Sequence, residues 1–295
     1  MSWDGFLVID KPLGMSSRDV VNRAAGWVPK RWRIGHTGTL DPLATGVLVL
    51  AVGQGTRLAE YVQDQPKVYW TEVFLGASTT TDDSEGERTP GTRKSMPDRA
   101  EVEAALTGFL GLIEQTPPAF SAAHIGGRRA YRLARQGRPE LPAPRMVRVD
   151  RIDILRFDPP ILELEIECGK GTYIRSLARD LGQKLETGAY VASLRRLRVG
   201  PFLAAYACDL DAATEEAARH LRPLEDGVVA LPRVDLDADV VRRLIFGQML
   251  KLPPGRVPWP SGDLAVFDAE RRLRLIAKWD AHHRAMKPSI VMQGS

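Results

Sequence analysis

Cysteine is almost missing from this chain. Only Cys168 and Cys208 occur in 295 residues. Two cysteines cannot build a disulfide framework, and neither stands in a CxxC pair or a Cys/His cluster, so a structural zinc site is not expected. The five histidines contain no HExxH pattern, and no other metal site is expected. Long apolar runs are also missing. The longest, Val47 to Val52, has the length of a buried strand and is far too short to span a membrane. The opening residues, Met1 to Asp10, lack the basic region of a leader. There is no GxxxxGK[ST] phosphate loop, no HxGH pair, and Gly53-Gln54-Gly55 is too short for a dinucleotide fingerprint. Finally, no large charge excess exists. Lys plus Arg is 41 against 37 acids, a net charge of +4, with a pI near 9.1. That excludes a polycation, an acidic tail and a wholly disordered chain. These absences point to a protein of a reducing cytoplasm. Its length suggests two domains, stable without covalent staples.

What is present reads as mixed α+β. Phe6 to Ile9, Val47 to Val52, Val68 to Leu75 and Tyr190 to Leu197 are strand-like. Ile161 to Cys168 is the clearest strand: Leu162, Leu164, Ile166 and Cys168 alternate with Glu163, Glu165 and Glu167. Ser16 with Asp19, and Asp98 with Glu101, are capping boxes that open helices. Thr56 and Thr172 are expected to cap two more, the second carrying Ile174, Leu177, Ala178, Leu181 and Leu185. Thr79 to Arg93, polar and punctuated by glycine and proline, is expected to be a surface loop. A helix is expected from Asp209 to Leu221. Beyond Pro232, two strands (Asp263 to Phe267 and Leu273 to Trp279) mark a small β-rich domain at 235–295.

Positive charge is concentrated. Residues 124–151 hold eight arginines (128, 129, 132, 135, 138, 145, 148 and 151) against Glu140 and Asp150, a net +6, so the remaining chain is slightly acidic. Guanidinium forks onto phosphate and stacks on bases. With Pro139, Pro142 and Pro144, the segment reads as an extended phosphate-binding arm. Arg195, Arg196 and Arg198 form a second cluster.

The most unusual stretch is Gly35-His36-Thr37-Gly38-Thr39-Leu40-Asp41-Pro42-Leu43-Ala44-Thr45-Gly46. By composition it is a turn-rich loop bearing an imidazole, hydroxyls and one carboxylate. As a motif it resembles the signature loop of the TruB family of tRNA pseudouridine-55 synthases. Other motifs agree, in family order over about residues 5–205. They are Asp10-Lys11-Pro12-Leu13-Gly14, Val68-Tyr69, Ser121-Ala122, Gly127-Arg128-Arg129-Ala130-Tyr131, Ala134-Arg135-Gln136-Gly137, Lys170-Gly171-Thr172-Tyr173-Ile174-Arg175 and Leu194-Arg195-Arg196-Leu197. His124 and Phe120 depart from the family's common lysine and tyrosine.

The resemblance implies a pseudouridine-synthase fold: a mixed, mainly antiparallel sheet with flanking helices, and a small β-rich PUA-like C-terminal domain. It implies a catalytic domain at 1–232, with an RNA-gripping insertion at about 117–148, and an RNA-binding domain at 235–295. The implied reaction turns uridine 55 of the tRNA TΨC stem-loop into pseudouridine. This is an isomerisation that needs no cofactor. Asp41 would be the catalytic carboxylate, Arg175 its partner, and Tyr69 the stacking and proton-moving aromatic. Tyr173, Leu194 and Lys11 would belong to the uridine site, and His36 would fill the gap left by a flipped base. Arg128, Arg129, Arg132 and Arg135 would grip RNA. Attack of Asp41 at C1′, attack at C6 and proton abstraction at C2′ stay open. A cytoplasmic monomer without an obligate protein partner is expected. Two other readings stand beside it: an RNA-folding chaperone with catalysis secondary, and an RNA glycosidase, which would ordinarily need a second carboxylate.

Overall fold

A computed structural model describes residues 2–121, 123–136, 140–251 and 259–292. In chain order the first half holds β1 (Gly5–Lys11), α1 (Ser17–Ala24), β2 (Ile34–His36), β3 (Ala44–Val52), α2 (Ala59–Asp64), β4 (Lys67–Leu75), β5 (Ala77–Thr79), β6 (Arg88–Pro90), α3 (Arg99–Thr107) and β7 (Gly111–Gln115). Then come β8 (His124–Ile125), β9 (Arg128–Arg129), α4 (Ala130–Arg135), β10 (Arg145–Asp158), β11 (Ile161–Cys168), α5 (Ile174–Lys184), β12 (Ala189–Val199), β13 (Phe202–Leu203) and α6 (Thr214–Arg219). The C-terminal part adds β14 (Arg233–Asp235), α7 (Ala238–Ile245), β15 (Leu250–Lys251), β16 (Gly262–Phe267), β17 (Leu273–Asp280) and β18 (Ala285–Val291).

The central sheet runs β1-β3-β12-β4-β11-β10-β7, with β2 added to β3 and β13 to β12. Among the described strands its one parallel pairing is β3 with β12, where Ala44, Thr45 and Gly46 meet Leu194, Arg195 and Arg196. The expected mixed, mainly antiparallel sheet is therefore observed. The seam explains a glycine. Gly46 has φ +98°, and a Cβ there would lie 2.2 Å from the Arg196 carbonyl oxygen. No other residue fits that close parallel approach.

β11 behaves as its alternation requires. Leu162, Leu164, Ile166 and Cys168 are buried. Its glutamates are laced by arginines of β10 and, across β4, of β12: Arg151 to Glu165 at 2.6 Å, Arg156 to Glu163 at 3.4 Å and Arg198 to Glu167 at 2.8 Å. Both capping boxes form, Ser16 with Asp19 and Asp98 with Glu101.

β1 and β3 are apolar on both faces because both are covered. On one side Leu7, Ile9, Leu48 and Leu50 join a core with α1, α3 and α5. On the other, Phe6, Val8, Val47 and Val49 pack with Phe267, Leu273 and Ile276 of the C-terminal sheet and with Met292 just beyond it. That sheet runs β14-β16-β17-β18-β15. Val241 and Leu244 of α7 close a third core against it. No helix among the described residues is long and apolar enough to cross a membrane.

Several local expectations need correction. Thr56 does not cap α2. It lies in a 3₁₀ turn, Gly53–Leu58, and its hydroxyl donates to the Gly53 carbonyl at 2.7 Å. Thr172 does not cap α5. Its hydroxyl donates to the Gly169 carbonyl at 3.1 Å and closes the glycine turn, leaving Tyr173 at the cap position. The helix expected at Asp209 to Leu221 shrinks to α6, since Asp209 is spent on the Asp211 amide. The loop Gly35 to Gly46 shortens to residues 37–43, because β2 and β3 claim its ends.

The arginine-rich arm is smaller than its charge suggested. Arg145, Arg148 and Arg151 lie on β10. There Arg148 pairs with Asp150, Arg151 with Glu165, and Arg145 donates to the Gly171 carbonyl. The segment between strands is 116–144. It carries Arg128 and Arg129 on β9, and Arg132 and Arg135 on α4. Ala122 and residues 137–139, including Arg138, lie outside the described residues.

Candidate active site

Residues 37–43 form a loop between β2 and β3 that is held from four sides. Thr37 donates its amide and its hydroxyl to the Val49 carbonyl. The Ser17 hydroxyl accepts from the Leu40 amide at 2.8 Å and donates to its carbonyl at 2.9 Å. Arg196, fully enclosed, reaches the carbonyls of Val47 (2.7 Å) and Thr39 (3.3 Å). The Gly14 amide donates to the Pro42 carbonyl at 2.8 Å. Polar side chains thus do here what strand pairing does elsewhere.

Asp41 stands in this loop with its side chain 27% exposed, and one oxygen meets Arg175 Nη2 at 2.8 Å. The other oxygen accepts no hydrogen bond among the described residues. Asp41 borders a cavity of about 60 Å³ with Leu40, Tyr69, Thr172, Tyr173, Ile174, Arg175 and Leu194. Five residues picked out in the sequence therefore converge on one small cavity: Asp41, Tyr69, Tyr173, Arg175 and Leu194. They come from a loop, β4, the start of α5 and β12.

Arg175 is the hinge of the site. Its Nη1 donates to Asp83 Oδ2 at 3.0 Å and to the Thr81 carbonyl at 3.0 Å, and its Nη2 reaches the Phe120 carbonyl at 2.8 Å. Burial works against its charge, but Asp41, Asp83 and Asp82 outweigh that and raise its pKa. The guanidinium is a fixed cation that orients Asp41.

Asp83 was not anticipated. It falls within Thr79 to Arg93, the stretch read as a surface loop, yet Asp83 and Thr79 are buried. The segment can be buried because it satisfies itself. Thr79 donates to the Asp83 carbonyl at 2.7 Å, Thr81 to its carboxylate, and the Glu85 amide to the same carboxylate. The neighbouring Asp82 pairs with Arg179 at 3.0 Å. The only signal was the run of hydroxyl and Asx side chains able to bond local backbone.

Tyr69 is almost fully enclosed. Burial raises its phenol pKa, with Arg196 opposing, so the ring enters the cavity as a neutral phenol. Tyr173 is half-buried, under the Arg145 guanidinium at 5.0 Å. His36 lies on β2 opposite Leu50 and does not line the cavity.

Lys11, expected at the uridine site, is fully buried and does not line the cavity. Its ammonium donates to the carbonyls of Met15 (2.7 Å), Pro12 (2.9 Å) and Pro42 (3.3 Å). It fixes the loop beside Asp41 from behind. Burial lowers its pKa to about 8, with Asp41 acting the other way. The unfolded chain keeps that proton until near 10.5. Between about 8 and 10.5 the unfolded state binds more protons, so stability rises with pH there. Below about 8 the destabilising contribution is complete. Urea midpoints should therefore climb more steeply over pH 8–10 for wild type than for Lys11→Met. Parallel curves would refute this assignment.

The second arginine cluster is also committed to the fold: Arg195 pairs with Asp10 at 2.6 Å, Arg196 holds the loop, and Arg198 pairs with Glu167. Among the described residues no group of His, Cys, Asp and Glu could hold a metal ion. Arg128 is exposed on β9, clear of the cavity.

Comparison with known proteins accords with this geometry. Residues 27–174 match the model of the TruB family pseudouridylate synthase N-terminal domain. Residues 175–229 match that of the tRNA pseudouridylate synthase B C-terminal domain. A tRNA pseudouridine synthase B of Xanthomonas euvesicatoria is 43% identical over 287 residues, covering 91% of this chain and 92% of that one. One from Ruegeria pomeroyi is 42% identical over 270 residues, covering 90% and 88%. Among solved structures, an H/ACA ribonucleoprotein bound to a substrate RNA containing 2′-deoxyuridine matches with a TM-score of 0.75 at 21% identity. That match covers 99% of this chain and 86% of that one. A Cbf5-Nop10-Gar1 complex matches at 0.73 and 22%, covering 99% and 84%. With the cavity, the ordered motifs and these relatives agreeing, the chain belongs to the TruB family of pseudouridylate synthases.

Proposed function

We propose that this chain isomerises uridine 55 in the TΨC loop of tRNA to pseudouridine, with Asp41 as the catalytic carboxylate acting on a flipped-out base. The observation that carries this reading is Asp41, the one carboxylate lining the cavity among the described residues, oriented by a buried guanidinium and faced by two aromatic residues. The reaction detaches uracil from C1′ and rejoins it through C5, so atoms balance without a cofactor. Flipping the base costs a few kcal/mol. Stacking on an aromatic such as Tyr69 or Tyr173 returns about 1–3 kcal/mol.

In this reading Leu194 is a wall of the uridine site, His36 fills the vacated stack, and Lys11 positions the Asp41 loop. Arg128, Arg129, Arg132 and Arg135 hold phosphates. Residues 1–232 are the catalytic domain and 235–295 a small PUA-like RNA-binding domain. The reading is of a monomer acting on tRNA. Two free, buried cysteines fit a cytoplasmic location.

The glycosidase reading is disfavoured by Asp83. It is the nearest second carboxylate to Arg175, but it is bonded to Arg175, Thr81 and Glu85 and does not line the cavity. Among the described residues an acid and a nucleophile flanking one bond are therefore not presented.

The test is release of tritium from C5 of labelled uridine in unmodified tRNA, with no cofactor added. Stoichiometric release with an intact chain supports the reading. Free uracil would support the glycosidase instead. Binding without release would favour the chaperone.

A further inference from the structure

The two strands that bracket the arginine-bearing segment meet at its root. In the β7–β10 ladder Gln115 lies directly opposite Arg145. Gln115 ends β7 and Arg145 begins β10, so everything between them is the segment 116–144. Both side chains turn to the same target, the turn before α5. The buried Gln115 amide closes a two-bond ring with one backbone unit. Its Nε2 donates to the Tyr173 carbonyl at 3.1 Å, and the Tyr173 amide donates to its Oε1 at 2.8 Å. Arg145 Nη2 donates to the Gly171 carbonyl at 2.5 Å, and its guanidinium covers the Tyr173 ring. Gly171 sits at φ +85° beneath that guanidinium.

The first residues of the segment continue along α5. The Thr116 carbonyl accepts from Ser176 Oγ at 2.8 Å and from Arg179 Nη2 at 2.9 Å. The Phe120 carbonyl accepts from Arg175 itself. The root of the segment is thus bonded to two residues that line the cavity, Tyr173 at the cap of α5 and Arg175 in its first turn.

We infer that Gln115 and Arg145 are positioning residues that couple the RNA-holding segment to the uridine cavity by locking the Gly171–Tyr173 wall. Neither side chain lines the cavity. They act through Tyr173 and, along the same root, Arg175. RNA held by residues 116–144 then pulls on the wall against which the flipped base stacks, and a loosened root leaves binding intact while the base is held out of line. Misplacement of about 1 Å at a reacting centre costs up to about 100-fold in rate. The inference rests on the isomerase reading for its rate test, so a second readout is needed that does not depend on turnover.

The variants are Gln115→Leu, which keeps the volume and loses both bonds, Arg145→Met, and Arg145→Lys, which keeps a cation and one donor. Each is made in the full chain and checked for a native thermal transition. At saturating enzyme in single turnover, Gln115→Leu and Arg145→Met should slow tritium release by about 10- to 100-fold. Affinity for unmodified tRNA should hold, since phosphate contacts supply it. Arg145→Lys should recover part of the rate. Independently, hydrogen exchange of residues 171–175 should slow when wild type binds tRNA, and that slowing should vanish in Gln115→Leu. Wild-type saturating rates in both disruptive variants, or a loss of affinity that accounts for the whole rate loss, overturns the coupling. Unchanged tRNA-induced protection at 171–175 in the variants does so even if wild type releases no tritium. That last absence would strike the isomerase reading alone. If Gln115→Leu fails to fold, Arg145→Met carries both measurements.

Discussion

Asp41→Asn should bind unmodified tRNA and release essentially no tritium. The substitution keeps volume and shape, and the loop around it is held by bonds from Ser17, Lys11, Gly14 and Arg196 to loop backbone, not to the Asp41 carboxylate. What changes is the charge and nucleophilicity of one group at the cavity. A loss of about 10⁴-fold or more is the scale for removing a reacting side chain. Affinity depends on phosphate contacts made elsewhere and should be retained, with its steep salt dependence. Activity near wild type in this variant would remove Asp41 from the chemistry.

Arg175→Leu should fail in two ways at once. It leaves Asp83 buried without its cation, so unfolding free energy should drop by about 3–5 kcal/mol. It also frees Asp41 to rotate, which should cost about 100-fold or more in rate. The two effects can be separated. In Arg175→Leu with Asp83→Asn the uncompensated buried charge is gone, so most of the stability should return. The rate should stay low, because nothing then orients Asp41. Urea unfolding and single-turnover tritium release measure the two quantities. Recovery of both together would make Arg175 a purely structural cation.

The sequence made parts of this molecule readable for identifiable reasons. β11 shows its strict alternation in the residues themselves because one face is core and the other a glutamate row. The capping boxes of α1 and α3 are local codes, complete within four residues. The site loop was legible as a motif, and its chemistry converged as that motif implied. What stayed hidden depends on long-range contact. Asp83 reaches Arg175 across 92 positions, and Gln115 reaches Tyr173 across 58. Lys11 carries a charge that suggests substrate, but its ammonium is consumed by three carbonyls. Arg148 and Arg151 carry charge that suggests RNA, but strand pairing sets them against acids. β18 was missed because Pro288 and Lys287 interrupt the expected apolar pattern.

The two-faced burial of β1 and β3 reaches beyond packing. Phe6, Val8, Val47 and Val49 belong to a core whose other half is Phe267, Leu273, Ile276 and Met292. On the opposite side of the same two strands, Leu7, Ile9, Leu48 and Leu50 back the sheet that carries the Asp41 loop. The C-terminal sheet is therefore not a module on a tether. It shares a wall with the catalytic sheet, as two rooms share a partition. Thermal loss of one half strips the partition bare, so the two sheets should unfold together.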